Sequence, residues 1–204
     1  SGNMLSAIGM LIAVVITLLN KSIVSYEYII AGVLVGGAVG GIMATRIQMT
    51  SMPQMIALLN GCGGGASLGL AAASYLLTSG AGGYESGVMG GIAVSFVMVT
   101  VLIGSVTLTG SLVAFAKLQE LISGQSIGFA GIMFLNAALF ISAITMLGML
   151  CFDPTNSILF WGLIAAACIL GITIVLPIGG ADMPVVIALL NSYSGMAAAA
   201  AGFI

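Results

Sequence analysis

Apolar runs of about 20 residues, separated by short polar stretches, follow one another along the whole chain. A helix needs about 20 mostly apolar residues to cross a membrane, and the pattern predicts seven such spans, which we call segments A to G. In chain order they are 3–19, 27–45, 52–77, 86–117, 127–150, 156–177 and 183–204. Membrane strands would need segments of about ten alternating residues. The predicted fold is therefore all-α, a polytopic transmembrane helix bundle.

Composition supports lipid as the main solvent of this chain. Of its 204 residues 61% are hydrophobic and 4% are charged, whereas soluble domains carry about 25% charged residues. The net charge of -2 excludes the basic surface of a nucleic-acid-binding protein. The chain has no histidine, and its three cysteines lack CxxC spacing, so no metal site is expected.

Nearly every charged residue falls between two segments. With seven alternating crossings, Arg46 and Lys117 lie on one side of the membrane and Lys21 lies on the other. The positive-inside rule then makes the first side cytoplasmic or matrix-facing. Lys117 and Glu120, three residues apart at the end of segment D, are expected to form a solvated pair.

A nine-residue sequence occurs twice, at the start of segments C and G. Residues 52–60 return as 183–191, with differences only at positions 54/185 and 55/186. Each copy places an amide, Asn60 or Asn191, about 10 Å along its helix, where a polar side chain in lipid is costly. An even number of crossings separates the two segments, so they should run parallel, with both amides at a similar depth.

These amides allow two interpretations. They either clamp neighbouring helices or hold a chain of water, because an amide donates and accepts hydrogen bonds at once. Ser192 extends the polar patch of segment G, while hydroxyls of segment D such as Ser111 are expected to bond their own backbone. Asp182 suits an N-cap of segment G, or a charged group at the mouth of a pathway. Glycines spaced four apart in segments B and C predict close helix packing.

Three motifs resemble a known family. Residues 50–66, 110–118 and above all 179–195 are similar to the membrane part of the beta subunit of proton-translocating NAD(P) transhydrogenase, and the resemblance covers essentially all seven segments. That enzyme transfers hydride between NAD(H) and NADP(H) in soluble domains and couples the transfer to proton passage across the membrane.

The resemblance implies roles for particular residues. Asn60 matches a channel-lining position where some relatives carry histidine, and Asn191 and Asp182 match positions implicated in proton passage and in coupling to the NADP(H) domain. The implied proton pathway consists of Asn60, Asn191, Asp182, Ser192 and Ser111. The residues implied to couple it to the NADP(H) domain are Asp182, Arg46 and Lys117.

The resemblance also sets expectations for the whole complex. Residues 1–204 should form one transmembrane proton-channel domain with no catalytic, cofactor-binding or metal site, and an NADP(H)-binding domain is expected after residue 204. NADP(H) and NAD(H) would bind other domains. Expected partners are the alpha-subunit membrane helices and NAD(H) domain, the NADP(H) domain, membrane lipid and a second copy of the complex. The expected location is the bacterial cytoplasmic (inner) or mitochondrial inner membrane.

Two other functions remain open at this stage. The repeated segment fits the repeat architecture of a secondary transporter for a small solute. A structural membrane scaffold, whose amides only pin helices together, is the third hypothesis.

Overall fold

The computed structural model describes residues 2–19, 26–80 and 88–204, and its regular elements there are all helical. The α-helices are α1 Gly2–Leu18, α2 Glu27–Arg46, α3 Met52–Gly80, α4 Val88–Leu118, α5 Ile132–Phe152, α6 Ser157–Val175 and α7 Met183–Ala201. Helices α2 to α7 are long and apolar enough to cross a membrane, whereas α1 has 17 residues. The predicted all-α bundle of about seven helices is confirmed, while Lys21 lies outside the described residues.

Segment E was predicted to begin too early. Residues 127–131 are mostly apolar, yet α5 begins only at Ile132. Gly131 has φ 105°, in the left-handed region that interrupts a helix, and the Ile127 N–H donates to the Leu176 carbonyl at 3.1 Å. These five residues therefore form a loop that pairs with the chain after α6.

Residues 1–48 form a compact unit of their own that holds α1 and α2. None of the residues of α2 is buried, and a Cβ added at any of its five glycines would have open space around it. The close packing predicted for the glycines of segment B is therefore not found in the described chain.

Residues 49–204 form a second unit, in which α4 contacts α3, α5, α6 and α7. Small residues set these approaches, as expected where lipid gives helices no hydrophobic drive to associate. A Cβ at Gly64 of α3 would lie 2.9 Å from the Leu108 backbone nitrogen of α4. A Cβ at Gly171 of α6 would lie 2.5 Å from the Val106 carbonyl oxygen of α4. The backbone of α4 therefore lies close to the backbone of α3 on one side and to that of α6 on another.

The repeated helices α3 and α7 pack side by side in the same direction. Pro53 and Ile56 share a groove with Pro184 and Ile187 near the beginning of both helices. Further along, a Cβ at Gly63 would lie 3.2 Å from the Ser194 hydroxyl. Near their ends, residues 66–70 lie beside residues 198–202. Positions 131 apart in sequence are neighbours in space, so the predicted parallel arrangement is confirmed.

Candidate functional site

A hydrogen bond in the second unit joins two of the predicted site residues. The Asn60 amide nitrogen of α3 donates to the Ser111 hydroxyl of α4 at 2.8 Å. Asn60 is 6% exposed and Ser111 is 1% exposed, so the pair is buried. The lack of a side chain at Gly61 permits this approach, since a Cβ there would already lie 3.4 Å from the Ser111 Cβ. The Ser111 hydroxyl thus bonds a neighbouring helix. The bond expected to its own backbone is not found among the described residues.

The Asn60 amide oxygen is also buried, and it has no hydrogen-bond partner among the described residues. An amide oxygen can accept two hydrogen bonds, and leaving a polar group unpaired in the interior is costly. The site therefore offers an acceptor that a water molecule or a proton-carrying group can use.

The second repeated amide lies in a different environment. Asn191 is exposed in this chain and lines a half-open groove of about 320 Å³ between α3 and α7. Ser192, the next residue, is exposed as well. Asn191 lies on a helix that runs parallel to the helix of Asn60, but the described chain does not bring the two amides into a hydrogen bond.

Asp182 ends a 3₁₀ turn, Gly180–Asp182, directly before α7. Asp182 occupies the predicted N-cap position of α7, but its side chain is exposed and makes no capping hydrogen bond to the helix. Its φ of -91° and ψ of -3° are helical, whereas a capping side chain reaches the first free N–H groups from an extended backbone. Pro184 also removes one of those N–H groups. The carboxylate therefore remains free to meet another group.

The predicted pair of Lys117 and Glu120 is wrong. Lys117 is 2% exposed, and its ammonium donates to the carbonyl oxygens of Gln125 at 3.0 Å, Leu176 at 2.5 Å and Ile178 at 2.7 Å. Carbonyls at the end of a helix such as α6 carry negative partial charge and attract a cation. Glu120, with φ 56°, lies two residues after the end of α4 and is exposed.

Around this ammonium the loops after α4 and after α6 are joined, and we call residues 124–127 together with 176–180 the loop junction. The Gly180 N–H donates to the Gly124 carbonyl at 2.7 Å, and the Ser126 hydroxyl donates to the Pro177 carbonyl. The junction leads directly into Asp182 and α7. In the sequence, the loop junction is indicated only by Lys117, a lysine with apolar neighbours on both sides.

Two other polar side chains, Gln54 and Arg46, lie at helix ends. The Gln54 amide nitrogen, in the first turn of α3, donates to the Leu118 carbonyl at the end of α4, at 3.3 Å. The end of α4 thus contacts both the start of α3 and the chain that precedes α7. Arg46 ends α2 and is exposed, and it belongs to the unit of residues 1–48.

The described residues include six apolar helices of spanning length, α2 to α7, which define an integral membrane protein of the polytopic α-helical class. Two of them, α3 and α4, share the buried amide–hydroxyl pair. The family model of the NAD(P) transhydrogenase beta subunit matches residues 1–204. The chain belongs to this family.

Curated relatives agree with the family model. The NAD(P) transhydrogenase subunit beta of Rhodospirillum rubrum, and the same subunit from a named strain of that species, are each 36% identical to this chain over 204 residues. The match covers 100% of this chain and 44% of each relative. The chain therefore spans less than half the length of the relatives it matches.

Proposed function

We propose that residues 1–204 are the proton-conducting membrane domain of a proton-translocating NAD(P) transhydrogenase. Hydride transfer between NAD(H) and NADP(H) takes place in soluble domains elsewhere in the complex, and those domains bind both nucleotides. The observation that carries the proposal is the buried Asn60–Ser111 hydrogen bond of 2.8 Å, which leaves the amide oxygen free. Family membership supports it.

The proposed pathway continues from Asn60 and Ser111 to Asn191 and Ser192. A polar side chain on the exposed face of a membrane helix is costly unless a polar neighbour meets it. The alpha-subunit membrane helices are our proposed neighbour, and they would also supply the group that gains and loses the proton, since this chain has no histidine. The membrane is a bacterial cytoplasmic (inner) or mitochondrial inner membrane, and the whole complex is a dimer.

Coupling to the NADP(H) domain of the same subunit is assigned to Asp182, Lys117 and Arg46. Asp182 precedes α7 and is exposed, and Lys117 holds the loop that leads to it. Arg46 is included because alternating crossings in the sequence predict that it lies on the same side of the membrane as Lys117. In this proposal each protonation state of the pathway favours a different docking of the NADP(H) domain, and docking in turn changes proton affinity by the same factor.

The proposal is tested with single variants in the full complex, reconstituted into proteoliposomes. We expect N60L, S111A, N191L and D182A to lose hydride transfer that is coupled to proton uptake, while hydride exchange between the soluble domains continues. The matched control is N136L, because Asn136 is a half-buried amide of α5 that donates to the Thr173 carbonyl at 3.4 Å. Its oxygen is buried without a partner among the described residues, as in Asn60, but it donates to a backbone carbonyl and not to a hydroxyl of a pathway helix. It belongs to no repeat.

Normal coupling in N60L and D182A would reject the proposal. Equal losses in N60L and N136L, in proportion to reduced assembly of the complex, would instead favour the scaffold hypothesis. Coupling measured per assembled complex separates the two results.

A further inference from the structure

Most Ser and Thr hydroxyls in these helices donate to a backbone carbonyl three or four residues earlier, the usual arrangement for a hydroxyl in an apolar helix. Those that do so are Thr17, Thr45, Thr78, Ser79, Ser95, Thr100, Thr109, Ser142, Thr145 and Thr173. Thr107 and Ser105 of α4 differ, because both hydroxyls are buried without a hydrogen-bond partner among the described residues. Unpaired polar groups in a membrane interior are costly and need an explanation.

Thr107 lies against the same helix as Ser111. It precedes Ser111 by four residues, about one helical turn. A Cβ at Gly64 of α3 would lie 3.0 Å from the Thr107 Cβ, and Gly64 follows Asn60 by four residues. The contact between α3 and α4 therefore has two successive levels, Asn60 with Ser111 and Gly64 with Thr107.

The two levels each contain one unpaired polar atom. At the first level it is the Asn60 amide oxygen, and at the second it is the Thr107 hydroxyl. The two levels are one helical turn apart, about 5.4 Å along the helix axis, so one water molecule with hydrogen bonds of about 2.8 Å is the right size to connect them. Ser105 lies elsewhere, since its hydroxyl is beside the Cys168 thiol of α6.

We propose that Thr107 is a further positioning residue of the proton pathway, whose hydroxyl holds a water molecule against the Asn60 amide oxygen. The inference rests on the proposed function and extends that pathway one turn deeper into the membrane. A hydroxyl can donate one hydrogen bond and accept another, so it can orient a water molecule without being ionised. A proton leaves this water as another arrives, and Thr107 is unchanged after each transfer.

The test compares T107V with T100V in the reconstituted full complex. Thr100 is a matched control because it is also 0% exposed on α4, while its hydroxyl already donates to the Phe96 carbonyl at 2.7 Å. We expect T107V to slow coupled hydride transfer about tenfold, equivalent to about 1.4 kcal/mol, and T100V to keep the wild-type rate. The solvent deuterium isotope effect of the coupled reaction should rise in T107V only, because proton passage becomes limiting.

A second pair of variants covers the case in which T107V assembles poorly. T107S retains the hydroxyl and T107A removes it without added bulk, so T107S should stay within about twofold of wild type while T107A loses about tenfold. Equal losses in T107S and T107A would overturn the inference, as would a T107V complex that matches T100V. If N60L and S111A lose coupling in the same assay, only the role of Thr107 has failed. If they too remain normal, the proposed function has failed.

Discussion

Replacing Lys117 with methionine should open the loop junction. The variant keeps the length of the buried stem but leaves the carbonyls of Gln125 and Ile178 without a donor. The Leu176 carbonyl loses the ammonium and keeps the Ile127 N–H. Each carbonyl that loses its only donor costs about 1–3 kcal/mol, or about 2–6 kcal/mol for two. The lost bond from the ammonium to the Leu176 carbonyl adds about 1.5–3 kcal/mol. The variant also avoids the cost of burying an ammonium, which is several kcal/mol. We therefore expect a net local loss of about 2–4 kcal/mol.

Hydrogen–deuterium exchange of the full complex measures this loss where it occurs. The Gly180 and Ile127 N–H groups are protected by bonds within the junction. Exchange of peptides covering 124–127 and 176–180 should be about 30- to 800-fold faster in K117M, because about 1.4 kcal/mol corresponds to tenfold. K117R, which keeps a buried cation with several donors, should lose less.

Ser126 provides the control for this prediction. S126A removes one neutral hydrogen bond of the same junction, from the Ser126 hydroxyl to the Pro177 carbonyl, and should cost only about 0.5–1.5 kcal/mol. Unchanged exchange in K117M, or an S126A effect as large as that of K117M, would refute the reasoning that the ammonium holds the two loops together.

Two further predictions concern packing, and thermal unfolding of the solubilised complex measures both. G171A should lower stability by about 1–3 kcal/mol through overpacking, because the new Cβ would lie 2.5 Å from the Val106 carbonyl oxygen. G148A should not lower stability, because Gly148 has open space around it. Equal effects of the two variants would contradict the close approach of α6 to α4. Y75F should leave stability unchanged or raise it by about 1 kcal/mol. The variant removes a buried hydroxyl that has no partner among the described residues, and it keeps the ring stacked on Phe160, with ring centroids 3.7 Å apart. A clear loss of stability would mean that the hydroxyl has a partner.

The apolar pattern predicts the helices well because each span must satisfy its own backbone in lipid. Segment C, predicted to begin at residue 52, corresponds to α3 Met52–Gly80, and segment G begins at the observed start of α7. The parallel direction of the repeat follows from counting crossings. Both predictions depend on local sequence and topology alone.

Side-chain environments are less predictable because they depend on which helix lies opposite. Lys117 stands at the end of an apolar segment and was expected in solvent, yet the loop after α6 folds over it and supplies its acceptors. Asp182 has the residue type of an N-cap but the backbone of a helix. In both cases a neighbouring segment or the backbone conformation overrides the preference of the single residue.

The two copies of the repeat also show that the environment of a side chain depends on the helix opposite to it. Position 61 is glycine in the first copy, where α4 approaches and Ser111 meets Asn60. The matching position in the second copy is Ser192, which adds a hydroxyl to the exposed face that carries Asn191. Both copies pack against α4, but the amide of the first copy faces that helix, while the second copy presents its amide and a hydroxyl outward. Replacing the glycine with a serine would not stabilise a surface that faces lipid, because a polar side chain in lipid is costly. The second copy is therefore suited to a polar partner helix.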